Sequence, residues 1–261
     1  MENHYSILGT PPSKSYLKEL SGADPNVIIE DLFAGYGKME ILHGVNLYAL
    51  KGQSVCLIGP NGAGKSTILH SIYGFTNIAK GIISVAGQDI TNMSSAQKLK
   101  SVGVAYIMQE NSVFPDMTVE ENLLMGAFLL EDKSTVYQEI ERIFSKYERL
   151  NHRRNQPAKV LSGGERRLLE ISRALVMQPS VLLVDEPSIG LEPRYIDMVF
   201  EILRELQVNE GKTIILVEQN ATKGLEFADI GYVLSAGDIV LADRTESLLT
   251  NKAVGKLFLG G

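Results

Sequence analysis

Apolar runs of four to seven residues recur along this chain, at 27–33, 45–50, 54–58, 81–85, 102–108, 180–184, 213–217, 230–234 and 238–241. Most are rich in Val, Ile and Leu and bounded by turn-forming residues, which predicts β-strands. Other stretches carry helical periodicity. Val136, Ile140, Ile143, Phe144, Tyr147 and Leu150 fall on one helix face, as do Ile196, Val199, Phe200, Leu203 and Leu206. Residues 166–177 carry Leu168, Leu169, Ile171, Ala174, Leu175 and Val176, an apolar arc wide enough to predict a mostly buried helix. Turns separate the early strands, which predicts an antiparallel patch, whereas strands and helices alternate from residue 54 onward, which predicts parallel βαβ units. Residues 118–160 are helical with little strand signal. The expected fold class is therefore α/β. It combines a core with a mainly parallel sheet, an antiparallel β subdomain, and an inserted helical subdomain at about 112–165, all within one domain spanning 26–261.

Composition adds limits. With 44% apolar and 21% charged residues, the 261-residue chain can bury a large core. The net charge of −6, without a Lys/Arg block, argues against nucleic acid as the main partner. No stretch approaches the roughly 18–20 consecutive apolar residues of a membrane span, and no basic start precedes an apolar run as in a signal peptide. A soluble, cytoplasmic protein is expected. Residues 1–25 are polar, with Pro11-Pro12 and Ser21-Gly22, and predict a poorly ordered extension. The lone Cys56 lies in an apolar run. His4, His43, His70 and His152 have no ligand spacing, so no metal site built from side chains alone is assigned.

The first chemical motif is Gly59-Pro60-Asn61-Gly62-Ala63-Gly64-Lys65-Ser66-Thr67, which fits G-x-x-x-x-G-K-[ST] between a strand-like and a helix-like run. Glycines let backbone N–H groups wrap phosphate oxygens, and the following helix adds the positive end of its dipole. Lys65 supplies a charge for the β- and γ-phosphates, and the Ser66 hydroxyl suits Mg²⁺. ATP with Mg²⁺ on a P-loop NTPase core is the expectation. The second motif is an apolar strand ending in acids, Val181-Leu182-Leu183-Val184-Asp185-Glu186. Its end lies at the carboxyl edge of the sheet, where Asp185 suits Mg²⁺ and Glu186 can polarise an attacking water.

The third motif is Leu161-Ser162-Gly163-Gly164-Glu165. Ser162 and Glu165 have capping-box spacing. A cap does not explain two adjacent glycines, which cost helix propensity, whereas bare backbone at a helix N-terminus suits a second anionic ligand. With these three motifs in place, residues 27–261 resemble the ATP-binding-cassette family. The resemblance implies head-to-tail pairing of two ATPase domains, with Ser162, Gly163, Gly164 and Glu165 of one facing the ATP on the other's phosphate loop. It also implies that Tyr36, 29 positions before Lys65 (65 minus 36), stacks on adenine. Gln109 is implied to reach Mg²⁺ and link the site to membrane subunits, and residues 188–193 to cross the dimer interface.

Gln219 stands where most of the family has histidine near the γ-phosphate. Glutamine there, with Gly35-Tyr36-Gly37, residues 118–123 and the ending at 257–261, resembles the second ATPase of importers of branched-chain and related hydrophobic amino acids or amides. The partners implied are a second cassette ATPase, the same or different, and transmembrane permeases. The place implied is the inner face of the cytoplasmic membrane. A lipopolysaccharide-export ATPase shares the run at 162–167 and is the alternative, followed by a non-transport cassette protein.

Overall fold

The computed structural model describes residues 10–109 and 112–258. Short strands with continuous apolar sequence form its centre. β3 (Ser54–Ile58), β7 (Val181–Asp185) and β8 (Thr213–Val217) are buried at every residue, as expected for strands covered on both faces. They belong to a six-stranded sheet of order β10-β9-β3-β8-β7-β6, completed by β6 (Val104–Ile107), β9 (Ile230–Ser235) and β10 (Asp238–Arg244). Pairing is parallel from β9 to β6, with Val55 opposite both Ile215 and Ile230, and β10 is antiparallel to β9.

A second sheet, β2-β1-β4-β5, is antiparallel. Its strands are β1 (Val27–Tyr36), β2 (Met39–Ala49), β4 (Asn77–Val85) and β5 (Gln88–Asp89). β1 and β2 join through Gly37-Lys38, with Tyr36 opposite Met39 and Gly37 at φ +58°, the backbone a two-residue hairpin demands.

Alternation along the central strands divides the interior. Val55, Leu57, Leu183, Ile215 and Val217 pack toward the antiparallel sheet and helix α2 (Lys65–Tyr73), whereas Cys56, Ile58, Leu182, Val184 and Leu216 join the core of the helical side. Helix α1 (Lys14–Ser21) precedes the sheets, and α3 (Ser95–Gln97) with a π turn (Lys98–Val102) leads into β6. The helical side holds α4 (Val119–Gly126), α5 (Lys133–Lys146), α6 (Glu148–Asn151) and α7 (Gly163–Leu175). α8 (Pro193–Val208), α9 (Ala221–Phe227), α10 (Thr245–Thr250) and α11 (Lys252–Phe258) follow. The mixed α/β architecture with one mainly parallel and one antiparallel sheet is the expected one.

Some expectations fail. Where the sequence predicts a poorly ordered extension, residues 14–21 form α1. Ser13 caps it by accepting from the Tyr16 N–H, Leu17 is buried against the core that includes β2, and Lys18 pairs with Glu30 at 2.8 Å. Residues 1–9 lie outside the described residues. The face running from Val136 to Leu150 is not one helix. Tyr147 leaves helical geometry (φ −121°, ψ 78°) and separates α5 from α6. Ile140, Ile143, Phe144, Tyr147 and Leu150 remain buried in one core, so packing tolerates the break. The motif at 257–261 is described only through Phe258.

Candidate functional site

The carboxyl ends of β3, β7 and β8 converge, and the candidate residues gather there. The turn after β3 depends on glycine. Gly59 has φ +148°, and a Cβ on it would lie 2.3 Å from the Leu234 carbonyl oxygen. Gly64, at φ +100°, is the N-cap of α2, which begins at Lys65. Lys65 is buried and folds back over the turn, donating to the carbonyl oxygens of Gly59 (2.8 Å) and Pro60 (3.0 Å). Burial lowers its pKa, while the carboxylates of Glu186 and Asp185 oppose that shift.

Asp185 ends β7 as a buried carboxylate with both oxygens engaged. Ser66 Oγ donates to Oδ1 at 3.0 Å and Tyr106 Oη donates to Oδ2 at 2.7 Å. Glu186 adopts φ +42° and donates its N–H to the Val217 carbonyl at 2.8 Å. A non-glycine residue there carries on the order of 1–3 kcal/mol of strain. The kink gives the adjacent acids different partners, since Glu186 Oε2 accepts from Gln109 Nε2 at 2.9 Å. Burial and the neighbouring Asp185 raise the Glu186 pKa, with Lys65 opposing.

A cavity of about 520 Å³ opens beside these groups. Its lining includes Ile41, Asn61, Gly62, Gly64, Lys65, Ser66, Thr67, Gln109, Glu186 and Gln219, so residues up to 178 positions apart in sequence (219 minus 41) line one cavity. Charge and shape fit a polyphosphate with a hard cation: glycine backbone and an ammonium on one side, hydroxyl and carboxylate oxygens on the other. Gly59, Pro60, Ala63 and Asp185 are not among the lining residues, and neither is Tyr36. It is exposed at the hairpin, with its hydroxyl bonded to His70 Nδ1. Burial lowers the His70 pKa.

Ser162, Gly163, Gly164 and Glu165 lie elsewhere. Ser162 and Glu165 line a separate cavity with Arg149, Arg153 and Tyr195. The capping box is formed: Ser162 Oγ accepts from the Glu165 N–H (3.2 Å), and the Glu165 carboxylate accepts from the Ser162 N–H (2.9 Å). The two glycines differ. A Cβ on Gly164 would lie 2.1 Å from Tyr195 Cδ1, whereas on Gly163 the nearest atom is Leu191 Cδ2 at 3.6 Å. Packing explains Gly164 and leaves Gly163 without an internal reason.

The family model described as ABC transporter matches residues 42–189. The chain belongs to this family. Its fold and relatives are those of the ATP-hydrolysing subunits of ABC transporters. A high-affinity branched-chain amino acid transport ATP-binding protein, BraG of Pseudomonas aeruginosa, is 42% identical over 87% of this chain and 96% of its own length. A probable branched-chain amino acid transport ATP-binding protein, LivF of Archaeoglobus fulgidus, is 35% identical over 88% of this chain and 96% of its own. A solved ATP-binding cassette of an ABC transporter in its ADP conformation superposes with a TM-score of 0.79 at 29% identity, covering 92% of this chain and all of that one.

Sequence reasoning about this cassette missed Tyr106 and Glu218. Glu218 is 2% exposed and accepts from Ser188 Oγ at 2.7 Å and the Asn220 N–H at 3.0 Å. A signal existed: an acid directly after a buried apolar strand, the pattern that singled out Asp185. Tyr106 left none, because a tyrosine inside an apolar strand reads as core.

Proposed function

We propose that this cassette hydrolyses MgATP to drive import of branched-chain or related hydrophobic amino acids or amides. The observation that carries the ATPase chemistry is the single cavity in which the 59–67 loop faces Gln109, Glu186 and Gln219. The loop N–H groups and Lys65 bind the phosphates. Ser66, Asp185 and Gln109 would hold Mg²⁺, whose charge offsets that of the β- and γ-phosphates. Lys65 leaves its two carbonyl partners for phosphate oxygens, stronger acceptors for an ammonium. Glu186 orients and deprotonates the attacking water, and its raised pKa makes it a better base than an ordinary carboxylate. Gln219 hydrogen-bonds the γ-phosphate without becoming cationic. Tyr36 stacks on adenine, braced by His70.

The ATP of one cassette is completed by residues 162–165 of a second, the same or a different chain. Their separation from the phosphate cavity within one chain supports that reading, as does the unexplained Gly163. ATP closes the pair and hydrolysis releases it. None of the helices among the described residues is long and apolar enough to cross a membrane, so transmembrane permeases hold the pair at the inner face of the cytoplasmic membrane. A groove of about 510 Å³ beside Gln109, lined by Met108, Phe114, Met125, Phe128 and Arg173, suits an apolar permease segment, and Phe128 is 81% exposed there.

The relatives named above and Gln219 support amino-acid import. The test is recovery from membranes of tagged chain carrying Glu186→Gln with MgATP. A different cassette ATPase with two permeases is the expected company. Self-pairs with a lipopolysaccharide-export apparatus would overturn the import assignment; an export ATPase of Haemophilus influenzae of that kind is 31% identical over 88% of this chain.

A further inference from the structure

Among the described residues, Glu218 is the most deeply buried acid, and the proposed chemistry gives it no role. It follows β8, between Val217, whose carbonyl holds the Glu186 N–H at 2.8 Å, and Gln219 on the cavity wall. One carboxylate oxygen, Oε1, bonds both Ser188 Oγ (2.7 Å) and the Asn220 N–H (3.0 Å). Ser188 lies two residues beyond Glu186, and Asn220 one beyond Gln219. A single atom therefore ties the segment after Glu186 to the segment carrying Gln219. The other oxygen, Oε2, is buried with no protein hydrogen-bond partner among the described residues. Helix α9 holds the side chain in place. A Cβ on Gly224 would lie 2.7 Å from Cys56 Sγ and 3.0 Å from Glu218 Cβ, so a side chain at 224 would press on the stem of Glu218.

We infer that Glu218 is a positioning residue for ATP hydrolysis, holding the 186–188 and 219–220 segments in one register through Ser188 and the Asn220 amide. It does not line the phosphate cavity and acts through Glu186 and Gln219. The inference rests on the proposal that these two face the γ-phosphate. A purely structural role would require only that the buried pocket be filled. Positioning requires the acceptor atom Oε1, and Gln supplies a carbonyl oxygen in the same place whereas Leu does not. Two bonds to one atom also make Ser188 and Glu218 energetically coupled.

The experiment measures kcat and KM for ATP in the complex recovered from membranes, for Glu218→Leu, Glu218→Gln, Ser188→Ala and the Leu/Ala double variant. Thermal midpoints and amide exchange over residues 186–192 accompany it. Glu218→Leu and Ser188→Ala should each lower kcat by about tenfold with KM within about twofold, since binding is made by the 59–67 loop. Glu218→Gln should recover most of kcat, the double variant should be no worse than Glu218→Leu, and exchange over 186–192 should rise in both single-loss variants. If Glu218→Leu fails to fold, Ser188→Ala and Glu218→Gln carry the same test. Overturning results are a Gln variant as poor as Leu, additive losses, a raised KM at unchanged kcat, or unchanged exchange. Turnover that survives Lys65→Ala would instead refute the ATPase reading beneath it.

Discussion

Adjacent glycines at the start of α7 should respond to alanine in opposite ways. At Gly164 the new methyl would lie 2.1, 2.5 and 2.6 Å from Tyr195 Cδ1, Cε1 and Cγ, so the ring base and not only its tip must move. Tyr195 is half-buried and has some room to yield, which sets the cost of overpacking at about 1–3 kcal/mol. For a chain of this size that lowers the melting temperature by about 2–12 °C. At Gly163 the nearest atom is 3.6 Å away, and alanine restricts the unfolded chain, so stability rises by about 0.4–1 kcal/mol. Function should order them differently. Gly163→Ala is the more stable protein, yet its methyl stands where a partner's phosphate is proposed to approach, and turnover of the assembled pair should fall by about tenfold or more. The assays are thermal unfolding without nucleotide and steady-state ATPase of the assembled complex. Adding Tyr195→Ala to Gly164→Ala should recover part of the lost stability, which separates the clash from a backbone effect. Wild-type turnover in Gly163→Ala would refute the trans-phosphate reading, and a wild-type melting temperature in Gly164→Ala would refute the packing argument.

Other expectations follow from the same geometry. Lys65→Ala should lose nucleotide affinity and turnover together, read by titration with a fluorescent ATP analogue, because the ammonium is proposed to contact the phosphates themselves. Glu186→Gln should trap ATP and also stabilise the fold near neutral pH. The raised Glu186 pKa means that ionisation opposes folding above that pKa and has no effect below the ordinary carboxylate range, so the gain in melting temperature should vanish as pH falls into that range. Lys98 is fully buried, and burial takes its pKa down to about 8 from 10.5. Lys98→Met should therefore raise the melting temperature at neutral pH, by an amount that shrinks between about pH 8 and about pH 10.5 as the wild-type lysine loses its charge in both states. Gln219→His should speed turnover and add pH dependence near the histidine range; a flat profile at the wild-type rate would count against a phosphate-facing role for position 219.

What could be read from sequence depended on whether one local pattern had one physical meaning. β3, β7 and β8 were legible because uninterrupted Val/Ile/Leu runs have few homes other than a strand covered on both faces. The phosphate loop was legible because its glycines answer a backbone demand, such as the 2.3 Å approach of Leu234 to the Cβ position of Gly59, that few other contexts impose. The first half of β2 was not, since Met39, Glu40 and His43 are exposed and edge pairing leaves little apolar trace. α1 hid for a related reason: a cap, an ion pair to Glu30 and one buried leucine hold it, too few apolar positions to outweigh its polar surroundings. The Gly163-Gly164 pair shows the sharper limit. From sequence both glycines looked like bare backbone kept for a ligand, yet Gly164 answers to the Tyr195 ring from α8, some thirty positions on (195 minus 164). Only Gly163 still needs an outside explanation. Glu218 is the converse case, in which an acid after a buried strand carried the same local signal as Asp185 but bonds Ser188 and the Asn220 amide, whereas Asp185 bonds Ser66 of the phosphate loop. Strand-end position identifies acids worth testing, and only the partners within about 3 Å show whether one holds the phosphate loop, as Asp185 does, or the segments that carry Glu186 and Gln219, as Glu218 does.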